Sequence, residues 1–181
     1  VVWRFDPLLL SGDVTARDVV EKIFRLYEKL HDYTEKLVFS FADIDIYRKV
    51  KQNMNRYAIA YRAWNDDEVR YAAQQLGSLA HDGFSVANCA EKYDFSEYNI
   101  AHNACVDPEL ICEITGDDEL KKFFAKKSNY KYPGQRKNCR CARSSDIGRY
   151  STCPHLCRYC YANANDETAM KNYRSILDPF S

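Results

Sequence analysis

Five of the chain's eight cysteines, Cys139, Cys141, Cys153, Cys157 and Cys160, fall within one short C-terminal stretch. The densest part reads Cys153-Pro154-His155-Leu156-Cys157-Arg158-Tyr159-Cys160, a C-x3-C-x2-C spacing with an aromatic residue just before the third cysteine. Three thiolates on one tight loop can each hold one iron of a four-iron cluster and leave the fourth iron open to a ligand. Zinc competes for the same residues, since Cys153, Cys157 and Cys160 with His155 or an earlier cysteine make a four-ligand set. A disulfide framework is the third alternative. No basic-then-apolar leader opens the chain, so a cytoplasmic, reducing compartment is expected, and there clustered thiols serve metals more often than disulfides.

Cys139-Arg140-Cys141 is a separate feature. Two cysteines one residue apart bind one metal together with two other thiols, and Cys89 and Cys105 are the available partners. The expectation is a second site of Cys89, Cys105, Cys139 and Cys141 holding an auxiliary iron–sulfur cluster or zinc. The alternative is that Cys89 and Cys105 are ordinary buried thiols.

The elements that must position these groups alternate between strand and helix signals. Val1–Phe5 reads as a strand ending at Asp6-Pro7, and Leu37–Phe41 as a strand buried on both faces. Phe84–Asn88 reads as a third. Between them, Thr15 and Asp18 form a capping arrangement before Val19, Val20, Ile23, Phe24, Tyr27 and Leu30 at helical spacing. Helices are expected at about 46–61 and 67–81, the second capped by Asp66 and followed by Gly83, and at Asp107-Pro108-Glu109. A last helix closes the chain at about 166–176. This is the α/β order of a parallel sheet with right-handed crossovers, read as the later strands of a partial βα barrel followed by a C-terminal cysteine-rich metal-binding segment. The expected division is 1–120 for the barrel part and 121–181 for a basic loop, the cysteine-rich segment and the terminal helix.

In βα barrels reactive groups sit where strands end. Here those places carry Arg4 and Asp6, then Ser40 and Asp43, then Cys89 and Glu91, which makes Arg4, Asp6, Ser40, Asp43 and Glu91 the expected pocket. Asp6 and Asp43 also suit helix caps or turns.

Hydrophobic residues make up 46% and charged residues 29%, the profile of a globular chain rather than a disordered one. No run of apolar residues is long enough to span a membrane. The zero net charge hides a division. Residues 121–160 hold eleven Lys/Arg and the single acid Asp146 (net +10), leaving fifteen basic and twenty-five acidic residues elsewhere (net −10). Such asymmetry suits an anionic substrate or a nucleic acid, and Phe123, Phe124, Tyr130 and Tyr132 interleave with the lysines in a pattern compatible with nucleic-acid binding, though charge runs are usually solvated surface. The chain starts at Val1 without a methionine, and the expectation is that it is the C-terminal part of a longer protein lacking the first barrel strands.

The C-x3-C-x-Tyr-C loop resembles the cluster loop of radical S-adenosylmethionine enzymes. Asp146–Cys153 through Cys160-Tyr161-Ala162-Asn163 is similar to the version in spore photoproduct lyases. The chain as a whole, over about 1–175, resembles an uncharacterised domain-of-unknown-function family with radical-SAM-like cysteines at its C-terminus. The matching pieces are Val2–Pro7, Ser40-Phe41, Cys89-Ala90-Glu91, Cys105-Val106-Asp107, Gln135-Arg136-Lys137, Cys139-Arg140-Cys141 and Cys153–Asn163. The resemblance implies a [4Fe–4S] cluster on Cys153, Cys157 and Cys160, with S-adenosyl-L-methionine chelated by the open iron. It also implies an electron donor such as a flavodoxin or ferredoxin, and hydrogen abstraction from an unidentified substrate. Tyr159 and Tyr161 would pack near the cluster and the adenine, and His155 would hydrogen-bond a cluster sulfide. The readings to weigh against an enzyme are a non-catalytic or electron-transfer iron–sulfur protein and a zinc-stabilised nucleic-acid-binding module.

Overall fold

The computed structural model describes residues 1–126, 135–145 and 147–177. It is a mixed α/β structure whose residues group into two compact units. One comprises Val1–Ala42 with Trp64–Ser145, the other Asp43–Ala63 with Asp146–Ser181. Cys139 and Cys141 thus belong to the first unit and the C-x3-C-x2-C loop to the second.

The first unit is built on four parallel strands, β1 (Val2–Leu8), β3 (Lys36–Phe41), β5 (Ser85–Cys89) and β6 (Ile100–Asn103), hydrogen-bonded in the order β1-β3-β5-β6. β2 (Leu10–Ser11) is a two-residue strand after the first. Helices α1 (Ala16–Leu30) and α3 (Asp66–Gly77) make the crossovers. Alternation along each strand sends Leu37, Phe39 and Phe41 of β3 and Val86 of β5 to one face. There they join Val19, Val20 and Ile23 of α1 and Val69, Ala72, Ala73 and Leu76 of α3 in the main core. Leu37 and Phe39 are fully buried, each worth roughly 1.5–3 kcal/mol of transfer free energy. Val38, Ala87 and Cys89 form a second, smaller cluster on the opposite face, so β3 is buried on both sides. The sheet does not close: among the described residues β1 and β6 are its free edges, and a barrel is not seen.

Local signals account for the helix starts. Thr15 accepts from the Asp18 amide and Asp18 reaches back to the Thr15 amide, a complete capping box. The expected cap Asp66 is instead the first residue inside α3. Asn65 is the cap, its side chain accepting from the Glu68 amide at 2.9 Å while Glu68 accepts from the Asn65 amide at 3.2 Å. Asp107 caps α4 (Pro108–Thr115), with Pro108 at the first position as expected. Asp117 caps α5 (Asp118–Ala125) in the same way.

Other boundaries move. The strand expected at 1–5 runs on through Asp6-Pro7 to Leu8, with a break in register between Phe5 and Leu8, and the Asp6–Pro7 peptide is cis. The helix expected over 46–61 shortens to α2 (Arg48–Arg56), because Ala58 turns to a φ of 51° and Tyr61–Arg62 becomes the short strand β4. α3 stops at Gly77, where a Cβ would lie 2.0 Å from the Tyr98 carbonyl oxygen. Most of the expected basic loop, 127–134, lies outside the described residues. The second unit contains α2, β4, the Cys153–Cys160 loop and α6 (Asp166–Leu177). No described helix is long and apolar enough to cross a membrane.

Candidate functional site

The strand register of the first unit lines up Arg4, Val38 and Ala87 on neighbouring strands. With a side-chain period of two, Asp6, Ser40 and Cys89 follow on the same face towards the strand ends. These groups meet. Asp6 accepts from Arg4 Nε at 3.0 Å and from Ser40 Oγ at 2.5 Å, and it also pairs with Arg4 Nη2. Arg4 Nη1 donates to the Sγ of Cys105 at 2.7 Å, and Cys105 Sγ lies 3.4 Å from Cys89 Sγ. Asn103 Nδ2 approaches the same Cys105 sulfur at 3.6 Å.

Charge and hydrogen bonding separate these groups. Burial works against the Arg4 charge, but the hydrogen bonds to Cys105 and Asp6 and the Asp6 carboxylate outweigh it, so its guanidinium is held more firmly protonated than usual. Cys105 is lowered to about 5, chiefly by the hydrogen bond from the Cys89 thiol and then by Arg4. Cys89 is pushed the other way, by that same hydrogen bond and by desolvation. One thiol of the pair therefore carries the charge and the other the proton.

Cys141 reaches this group from the segment that follows residue 135. Its Sγ accepts from the amides of Cys105 at 3.0 Å and Val106 at 3.4 Å, while Ala142 N–H donates to the Val106 carbonyl at 2.8 Å. Desolvation raises Cys141, and the neighbouring Cys139 thiol adds to the rise. Arg136 reaches the Cys89 carbonyl at 3.5 Å. The four cysteines expected to share a site are thus neighbours in one unit. They touch in sequence, however, and among the described residues no three His, Cys, Asp or Glu side chains gather as a ready metal site.

One of the expected pocket residues has other work. Glu91 Oε1 accepts the Phe41 amide at 2.9 Å, tying down the end of β3, and Ala90 at φ 58° makes the turn that brings it there. Asp43 is exposed and begins the second unit.

In the second unit the loop is shaped by amide side chains that sequence reading passed over. Asn163 Nδ2 donates to the Cys153 carbonyl, Asn53 Nδ2 to the Cys160 carbonyl and Asn172 Nδ2 to the Ser151 carbonyl, each at 2.9 Å. Ser151 N–H to the Ala162 carbonyl at 3.1 Å closes the loop's base. Cys160 Sγ accepts the amides of Ala162 and Asn163, both at 3.3 Å. Arg158 leans over the Tyr57 ring at 4.0 Å and donates to Asp166 at 2.7 Å, so this cation anchors the loop to α2 and α6. Tyr159 lies beside Cys157 and Cys160, raised first by burial and then by their charge. His155, Tyr161, Cys153 and Cys157 are exposed.

Residues 1–162 match the family model described as Domain of unknown function (DUF1848). The chain belongs to that family. No curated protein and no solved structure matches it. The DUF1848 span takes in both cysteine groups and ends two residues after Cys160, so α6 lies beyond it. Within this DUF1848 chain the basic stretch is partly spent on local pairs: Lys121 with Asp118, Lys122 with Glu119, and Arg158 with Asp166. Tyr130 and Tyr132, expected to stack on bases, lie outside the described residues.

Proposed function

We propose that this chain is an iron–sulfur protein of the radical S-adenosylmethionine type, with Cys153, Cys157 and Cys160 as the cluster ligands. The observation that carries the reading is the hydrogen bonding of Cys160. Its sulfur accepts two main-chain N–H groups, and hydrogen bonds to ligand sulfurs are among the features that tune a bound cluster. The donor chemistry fits as well, with three soft thiols on one loop. Among the described residues the thiols are not gathered as a ready metal site, so binding would be coupled to an adjustment of the loop.

A cluster with one open iron supplies one-electron reduction of a bound sulfonium. The chain's own residues do the rest. Asn53, Asn163 and Asn172 fix the loop's course by gripping its carbonyls. Tyr159 lies beside Cys157 and Cys160, where it would border a bound cluster. The strand ends bearing Arg4, Asp6 and Ser40 form the polar edge at which βα proteins hold substrates, and the sequential order of the parallel strands is the one expected for later strands of a βα barrel. For the four thiols of the first unit, pairwise contact supports a different chemistry, developed below.

The test is iron and acid-labile sulfide analysis of anaerobically purified protein, with Cys160→Ala beside it. About four irons and four sulfides per chain are expected, with loss in the variant. Bound zinc without sulfide overturns the reading. Addition of reductant and S-adenosylmethionine should then yield 5′-deoxyadenosine. A fully loaded protein that makes none is an electron carrier, not an enzyme of this type.

A further inference from the structure

The geometry points to Cys89 and Cys105 as a redox-active dithiol, oxidised by a hydroperoxide to a reversible disulfide with Arg4 assisting at Cys105. The inference stands on the first unit alone and does not depend on the Cys153–Cys160 loop.

Three observations carry it. The two sulfurs are 3.4 Å apart, about 1.4 Å longer than a disulfide bond of roughly 2.05 Å. The separation is small because the backbone places it so: Cys89 ends β5 opposite Asn103 of β6, and Cys105 follows two residues later. The pair is also asymmetric. Cys105 is exposed and in reach of an oxidant, while Cys89 is buried behind it at 8% exposure. That is the arrangement of an attacking thiol and a resolving thiol. Finally, Arg4 Nη1 lies 2.7 Å from Cys105 Sγ, placing a fixed positive charge on the sulfur that must act as nucleophile. Asp6, bonded to Ser40, holds that guanidinium in place. Cys141 is the nearest competitor, but its sulfur is engaged by the amides of Cys105 and Val106.

The step balances with hydrogen peroxide as the oxidant (an organic hydroperoxide would release its alcohol in place of the first water). The Cys105 sulfur attacks one peroxide oxygen, the O–O bond breaks, and one water leaves with a sulfenic acid remaining on Cys105. The Cys89 sulfur then attacks the Cys105 sulfur, the S–O bond breaks, and a second water leaves. Two thiols have lost two electrons to one peroxide, and their protons end in the two waters.

The experiment treats the reduced full chain with hydrogen peroxide, alkylates the remaining thiols and maps the peptides by mass. The expected result is a Cys89–Cys105 linked peptide that dithiothreitol reverses. In Cys89→Ala, Cys105 should stop at the sulfenic acid and be trapped by dimedone; Cys89→Ser serves if the alanine variant does not fold. Arg4→Gln should slow Cys105 oxidation roughly tenfold without changing the linked pair, and Arg4→Lys should restore part of the rate. A linkage of Cys105 to Cys139 or Cys141 instead overturns the proposal. So does full alkylation of Cys89 and Cys105 after peroxide treatment, or a bound metal ion, lost in Cys105→Ser, that shields both thiols.

Discussion

Asn163 and Cys153 stand ten residues apart and are joined by a 2.9 Å hydrogen bond from the Asn163 side-chain amide to the Cys153 carbonyl. Asn163 is buried, and its Oδ1 has no hydrogen-bond partner among the described residues. The donor, not the acceptor, is therefore what the loop uses. Asn163→Asp keeps the shape but turns a donor towards a carbonyl into a second acceptor, and it should cost more than Asn163→Ala. Loss of this part-buried bond costs about 0.5–1.5 kcal/mol. With the proposed cluster, iron bound per chain after anaerobic reconstitution should fall in the order wild type, Asn163→Ala, Asn163→Asp. Equal loading of all three would show that the loop's course is set elsewhere.

Gly77 meets Tyr98 chiefly at its backbone, with the Tyr98 Cβ as the side-chain neighbour. A methyl group there would lie 2.0 Å from the Tyr98 carbonyl oxygen and 3.0 Å from its carbonyl carbon, and both obstacles are main chain. Gly77→Ala must push α3 off the turn before β6, which overpacks the main core by roughly 1–3 kcal/mol. That exceeds the helix propensity an alanine gains in α3, up to about 1 kcal/mol. Urea unfolding should show a lower midpoint for the variant, whereas a midpoint at or above wild type would mean that α3 and the turn slide freely.

What the sequence disclosed and what it hid divide along one physical line. Thr15 with Asp18 and Asp107 with Pro108 act on amides within four residues of themselves, so their pattern is complete in the local text. The buried run Leu37–Phe41 and the βα alternation were legible for the same reason. β6 was not, because Ile100-Ala101-His102-Asn103 is short and half polar and becomes a strand only by pairing with β5. Glu91 looked like a pocket acid, yet its carboxylate completes the end of β3, fifty positions away. Asn53 and Asn172 gave no local sign of holding the cysteine loop, since asparagine in a helix carries no mark of a distant carbonyl. The thiols were legible as chemistry, but the meeting of Arg4 with Cys105 across the sheet was not.

The Asn65 cap offers a direct check on the corrected start of α3. Asn65 accepts from the Glu68 amide and donates its own amide to the Glu68 carboxylate. Asn65→Ala removes the cap and should destabilise the protein by about 1 kcal/mol. Asp66 Oδ1 also accepts from the Tyr93 hydroxyl at 2.8 Å, so Asp66→Ala is measured against Tyr93→Phe; in that background it removes only one of three acids in the first turn, worth a few tenths of a kcal/mol through the helix dipole. Thermal unfolding of the two variants should separate them in that order, and the reverse order would return the cap to Asp66.

Cys105 should differ from a free thiol in how its reactivity depends on pH. The hydrogen bond from the Cys89 thiol, then the Arg4 guanidinium, lower it to about 5. A lowered pKa means that the thiolate persists at neutral pH and is lost only as acid is added through that value. Alkylation of Cys105 by iodoacetamide, followed by peptide mass, should therefore be nearly flat from pH 8 to pH 6. Below about pH 5 it should fall tenfold per unit, whereas an ordinary thiol is still losing reactivity throughout the range from about 8 downward. Arg4→Gln and Cys89→Ala each remove one cause and should move the midpoint up towards the ordinary thiol value, with Cys89→Ala moving it further. A wild-type midpoint above 8 would mean that neither contact holds charge on the Cys105 sulfur.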